Sequence, residues 1–151
     1  MLWCAGRLVF RQLSQLLGDV VWQVTHLGGH RFAPTALCLP LGLLLGRIDT
    51  DDAMAIVSAV MTNSIGPLRT EIVRGDVRLT KSEQARELWL RNQKGVLDAV
   101  SNTEGVESFS WTDGSGKKCT TVQHKNELGM MAPSCGNPKE KMMHRWVFET
   151  Q

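Results

Sequence analysis

The sequence predicts an α+β protein, and three observations predict it. Leu8, Leu13, Leu16 and Leu17, joined by Val9, recur at helical spacing until Gly18-Asp19 ends the run. Thr80-Lys81-Ser82-Glu83 has capping-box spacing and opens a second helical pattern, which carries Ala85, Leu88 and Trp89 inward. From Gly105 onward the pattern changes to short extended pieces. Val106 to Trp111 alternates apolar and polar residues, Asp113-Gly114-Ser115-Gly116 signals a turn, and Cys119 to Gln123 continues as a partner strand. Arg145 to Phe148 is a third extended piece.

The remaining elements fall between these. Val20-Val21-Trp22-Gln23-Val24 reads as a strand leading out of the first helix, and Ala36-Leu37-Cys38-Leu39 as another. A hairpin turn follows around Leu41-Gly42. Asp49-Thr50-Asp51-Asp52 then supplies capping oxygens and negative charge at a helix start, with Ala53, Ile56, Val57 and Val60 as the apolar face. Three aspartates so close also raise a cation site, but the cap explains them with less. Met54 and Met61 read as core filler rather than ligands. Asn63 to Pro67 is a loop by composition, and Arg69 to Arg78 is an irregular connection holding Arg69, Arg74 and Arg78.

Bulk properties exclude several functions. A chain of 151 residues with 42% hydrophobic content can bury one ordinary core. Its net charge of +2 is weak, its basic residues are scattered, and no nucleic-acid motif accompanies them. The longest apolar stretch, Ala36 to Gly46, is interrupted by Pro40 and is too short to span a bilayer. Arg7 interrupts the apolar N-terminal run, which makes a poor signal-peptide core. Cys4, Cys38, Cys119 and Cys135 lie far apart, unlike a secreted disulfide scaffold. The chain reads as soluble and cytoplasmic. It holds no Ser-His-Asp arrangement, GxxxxGK[ST], GxGxxG or paired carboxylate set for sugar cleavage.

One stretch carries chemistry. In His26-Leu27-Gly28-Gly29-His30-Arg31-Phe32 two imidazoles stand four residues apart around a Gly-Gly pair. Two adjacent glycines oppose a helix, each at about 1 kcal/mol relative to Ala, and they permit the positive φ of a tight loop. Such a loop can aim both rings at one metal, or it is a surface turn that carries two histidines; spacing alone does not choose.

The run Val21-Trp22-Gln23-Val24-Thr25-His26-Leu27-Gly28-Gly29-His30-Arg31-Phe32-Ala33 closely resembles the HxGGH segment of the sucrase/ferredoxin-like family. Pro40-Leu41-Gly42 with Leu45-Gly46-Arg47-Ile48, Arg74-Gly75, Gln84-Ala85-Arg86-Glu87 with Arg91, and Ser134-Cys135-Gly136 with Trp146 extend the resemblance over nearly the whole chain. It implies a thioredoxin-like ferredoxin whose [2Fe-2S] cluster takes His26 and His30 as ligands, with Gly28, Gly29 and Arg31 supporting the loop. It also implies two upstream cysteine ligands, the second just before the first helix. Cys4 best matches that position, against the alternative of a half-buried thiol at a frayed terminus. The other cysteine has no counterpart, so the resemblance implies an N-terminally shortened member, a fragment whose cluster is labile.

The chain thus divides into a partial thioredoxin-like ferredoxin core over 1–66, a connecting segment and helix over 67–102 and, from the change of pattern after Gly105, a β-rich extension over 103–151 packed on the core. The function the resemblance implies is electron transfer to an unidentified redox partner protein, an electron carrier rather than a hydrolase. Neutral imidazoles in place of thiolates lower the negative charge of the site and raise its potential. Arginines beside such a site either steer the partner by charge or form a solvated face. The alternative function is a binding or scaffold module of the same fold, holding zinc or nothing because one ligand is missing. A thiol-redox protein using Cys4 or Cys38 is a third reading, weakened by the lack of CxxC. Cys119 with His124, or Cys135 with His144, raises a zinc site that no CxxC or HxxxH supports.

Overall fold

The computed structural model describes residues 2–25, 27, 32–131 and 139–151, with the backbone alone for residues 2–5. His26, Gly28, Gly29, His30, Arg31 and Cys135 lie outside the described residues, as does the Cys4 side chain. The fold is α+β, with three α-helices and two antiparallel sheets among the described residues. No described helix is long and apolar enough to cross a membrane. The chain forms two compact units, Met1–Leu79 and Thr80–Gln151.

In the first unit, helix α1 (Leu2–Leu17) buries Val9 and Leu13, one turn apart, and packs on the helix over Ala53–Thr62. Leu8 and Leu16 of the same apolar series are exposed. Gly18, at φ +68°, turns the chain into a 3-10 turn over Gly18–Val20. The expected strand over Val20–Val24 does not form; residues 21–24 carry no regular structure. An extended run becomes a strand only when a neighbour takes its hydrogen bonds, and no described strand pairs with this one.

Strands β1 (Thr35–Cys38), β2 (Leu43–Gly46) and β3 (Val73–Asp76) form a three-stranded sheet in sequence order. Leu43, Leu45 and Val73 are buried in it. The expected irregular connection over Arg69–Arg78 is corrected here: it contains β3, preceded by a 3-10 turn over Thr70–Ile72. Its strand character is hidden in sequence because Arg74-Gly75-Asp76 shows no apolar alternation. Pairing with β2 supplies the order instead. Helix α2 (Ala53–Thr62) buries Ala53, Ile56 and Ala59 and ends at Asn63, which is left-handed at φ 49°.

In the second unit, the Thr80 capping box forms as expected and opens α3 (Lys81–Asn92). Arg86 and Leu90 are its buried residues, while Ala85, Leu88 and Trp89 are half-buried. Strands β4 (Val96–Thr103), β5 (Val106–Thr112), β6 (Lys118–Met131) and β7 (Lys141–Thr150) form a meander in that order. Strand β4 escapes sequence reading because all eight of its residues are exposed. A strand with no buried face has no reason to alternate. Leu90, Phe109 and Trp111 make the core, with Trp89, Cys119 and Phe148 against it. Trp89 stacks on Phe148 at 5.1 Å and meets Trp111 edge-on at 5.2 Å.

Candidate functional site

The described residues on the two sides of the His26–His30 segment are built differently. The incoming side, residues 21–25, runs without strand partners and leaves Trp22 82% exposed. An open cleft of about 410 Å³ lies there, lined by Phe10, Ser14, Gly18, Asp19, Val21, Trp22 and Gln23.

The outgoing side is anchored. Phe32, two positions past His30, accepts a hydrogen bond on its carbonyl from the Arg47 backbone N–H at 2.6 Å. The carbonyl of Pro34 accepts from Ile48 N–H at 3.4 Å, extending the β1–β2 pairing toward the loop. Gly46 makes the close approach possible: a Cβ there would meet the Phe32 carbonyl oxygen at 3.0 Å and Phe32 Cβ at 3.1 Å. Two guanidinium groups lie on the Phe32 ring, Arg74 at 3.1 Å and Arg47 at 5.3 Å from the centroid.

Arg74 reaches that ring because of a β-bulge. Leu44 pairs with Gly75 and Leu45 with Val73, so Arg74 is the extra residue in β3. A bulge of this kind re-aims a side chain. Of the three arginines in this stretch, Arg74 is therefore the one placed on Phe32. Arg69 instead binds Asp52 through Nε at 2.7 Å and Nη2 at 2.8 Å, and Arg78 binds Asp76 through Nε at 2.8 Å.

The Asp49–Asp52 cluster is a helix cap joined to an ion pair. Asp49 Oδ1 accepts from the Asp51 N–H at 2.9 Å and the Asp52 N–H at 3.3 Å, while Asp52 Oδ2 accepts from the Asp49 N–H at 3.0 Å. The Arg69 side chain, donating to the buried Asp52, holds its carboxyl below the usual range. The hydrogen bond from Arg78 does the same for Asp76. No group of three or more His, Cys, Asp or Glu side chains that could hold a metal ion occurs among the described residues.

The cysteines divide clearly. The Cys4 backbone lies in the first turn of α1 rather than ahead of the helix. Cys38 is buried at the hairpin end of β1, and burial pushes its thiol pKa up, which suppresses the thiolate. Strand β1 alone puts about 10 Å between Cys38 and the end nearest Phe32, at roughly 3.3 Å per residue. Cys119 and His124 cannot share a zinc ion. They stand five apart on a regularly paired stretch of β6, hence on opposite faces. Cys119 lies against the core, and His124 Nε2 stands 3.7 Å from Glu149 Oε1.

Sequence reasoning missed the anchoring of Phe32 by Arg47. Gly46 inside a strand was the available signal, since glycine there marks a close backbone approach. Compared with known proteins, the chain matches no family model, no curated protein and no solved structure.

Proposed function

We propose that this chain is an iron–sulfur electron-transfer protein of the sucrase/ferredoxin-like type, thioredoxin-like in its first unit. Cys4, His26 and His30 are its [2Fe-2S] ligands. The observation that carries the reading is the His26-Leu27-Gly28-Gly29-His30 segment, supported by the anchored Phe32 and the two cations over its ring. The donor chemistry is that of three of the four ligands such a group would take, two neutral imidazoles and one thiolate. When bound, the cluster supplies one-electron transfer at a potential raised by imidazole ligation.

The chain's own residues set the conditions. Each histidine binds through one ring nitrogen and holds or releases a proton at the other. Gly28 and Gly29 permit the tight loop, and Arg31 adds charge beside it. Arg47 and Arg74 favour acceptance of an electron and draw an acidic face of a partner protein toward the loop. The reading places the protein in the cytoplasm, with a redox partner and no nucleic acid or membrane.

A second reading is a binding or scaffold module holding zinc or no metal. It is favoured by the position of Cys38, which is buried and remote from Phe32 along β1 and so supplies no further thiolate. Anaerobic reconstitution with iron and sulfide separates the two. A reddish-brown sample with charge-transfer absorption, whose iron falls sharply in His26→Ala and in His30→Ala, supports the cluster. Full iron and an unchanged spectrum in both variants overturn the ligand assignment, and a colourless zinc-containing sample establishes the module.

A further inference from the structure

The far end of the β6–β7 hairpin gathers residues that neither core packing nor the histidine loop uses. Four of the seven methionines in the chain stand here: Met130, Met131, Met142 and Met143. Met130 pairs directly with Met142 across the strands, so both thioethers share one face. Strand β7 is paired without interruption, so His144, two residues on, lies on that same face. The bulge that breaks the ladder between Glu127 and Gly129 is confined to β6, where Gly129 takes φ +107°.

The spacing is that of a small coordination set. Directly opposed Cβ atoms stand about 4.5–5.5 Å apart, and diagonal neighbours about 7–8 Å. Two flexible thioethers and an imidazole at those separations can converge on one point. Met130 is 54% and Met142 39% exposed, and His144 is exposed, so a solute reaches all three. Glu127, directly opposite His144, places a carboxylate where it can orient the imidazole. Next along the face comes Trp146, whose ring already accepts a cation, with Lys125 Nζ 5.6 Å from its centroid.

We propose that Met130, Met142 and His144 form a binding site for a soft monovalent cation, copper(I) in its physiological form. Neutral thioether sulfur is a soft, polarizable donor that selects copper(I), whereas hard divalent cations seek oxygen. The site lies wholly in the second unit and does not depend on the proposed iron–sulfur function.

The test is titration of the full chain, labelled with ¹³C at the methionine methyls, with silver(I) as the spectroscopically silent analogue. The background is Cys4→Ser, Cys38→Ala, Cys119→Ser and Cys135→Ser, with folding checked by circular dichroism. One silver ion binds, and the Met130 and Met142 methyl resonances shift together. Affinity falls in Met130→Leu/Met142→Leu by at least the roughly 10- to 100-fold that metal sites lose when a supporting residue is removed. His144→Gln weakens binding as well, while His26→Ala/His30→Ala leaves those two methyl shifts unchanged. If the cysteine-free chain does not fold, the same two resonances read the site in the unmodified chain, whatever the thiols bind. Unmoved methyls at saturating silver, or equal affinity in the double leucine variant, overturn the proposal.

Discussion

Replacing Glu107 with alanine tests what holds the second unit together. Glu107 on β5 binds Arg86 of α3 and also accepts from Ser82 Oγ, while Gln123 Nε2 donates to Ser82 Oγ at 3.0 Å and to the Ser82 carbonyl at 2.9 Å. The Arg86 side chain is 8% exposed and that of Glu107 21%. Removing the carboxylate leaves a guanidinium desolvated and without its counter-charge. Breaking a buried pair from one side costs about 3–5 kcal/mol, and the partial exposure of Glu107 puts the estimate at the lower end, about 3 kcal/mol. The Phe109 ring, 5.9 Å from the Arg86 guanidinium, recovers little of this at such a distance. For a unit of this size the loss corresponds to a fall in Tm of about 12–24 °C. Replacing both partners, Arg86→Met with Glu107→Leu, should return stability to within about 1 kcal/mol of the parent, because no charge is then stranded. Urea and thermal melts followed through the Trp89 and Trp111 signals measure both variants. A Glu107→Ala cost below about 1 kcal/mol, or a double variant whose cost equals the sum of its singles, would show that no charge is stranded when the carboxylate is lost.

Three other outcomes are expected. Gly46→Ala pushes its new methyl against the Phe32 backbone and should cost about 1–3 kcal/mol, with faster exchange of the Arg47 amide as the local readout. Arg74→Met removes a charge from the Phe32 ring and should lower the potential of a reconstituted cluster; an unchanged potential would show that the cation has no electrostatic part in the site. The Asp52 carboxyl titrates below its unfolded value of about 3.9, so its contribution to stability is fully present above about pH 4 and is lost as pH falls through the lower folded value. Asp52→Asn should therefore flatten the acid limb of a stability profile measured between about pH 2 and pH 5.

The helices and their caps were legible as elements because their signals are local, although Leu8 and Leu16 of the expected apolar series and the expected core fillers Met54 and Met61 are exposed. Thr80 and Glu83 satisfy each other's backbone within one turn, as do Asp49 and Asp52, and no distant residue can alter that. The Asp113–Gly116 turn and the strands that flank it are local in the same sense, since turn chemistry and alternation sit in adjacent residues. The fold class followed from these elements.

Strand pairing is a different kind of fact. Val20–Val24 and Val73–Asp76 differ in their fate because one lacks a described neighbour and the other lies against β2, and nothing within either segment records this. Strand β4 forms with no buried residue at all, ordered by the ladder it shares with β5. The same holds for the functional residues. The sequence alone offered the two histidines and a set of three nearby arginines. The tertiary structure decided that Arg74, the bulged residue, lies on Phe32, while Arg69 and Arg78 are taken up by Asp52 and Asp76. Periodicity and capping depend on neighbours three or four residues away, so a sequence contains them whole; register and bulges depend on which strand lies alongside, and only the folded chain supplies that neighbour.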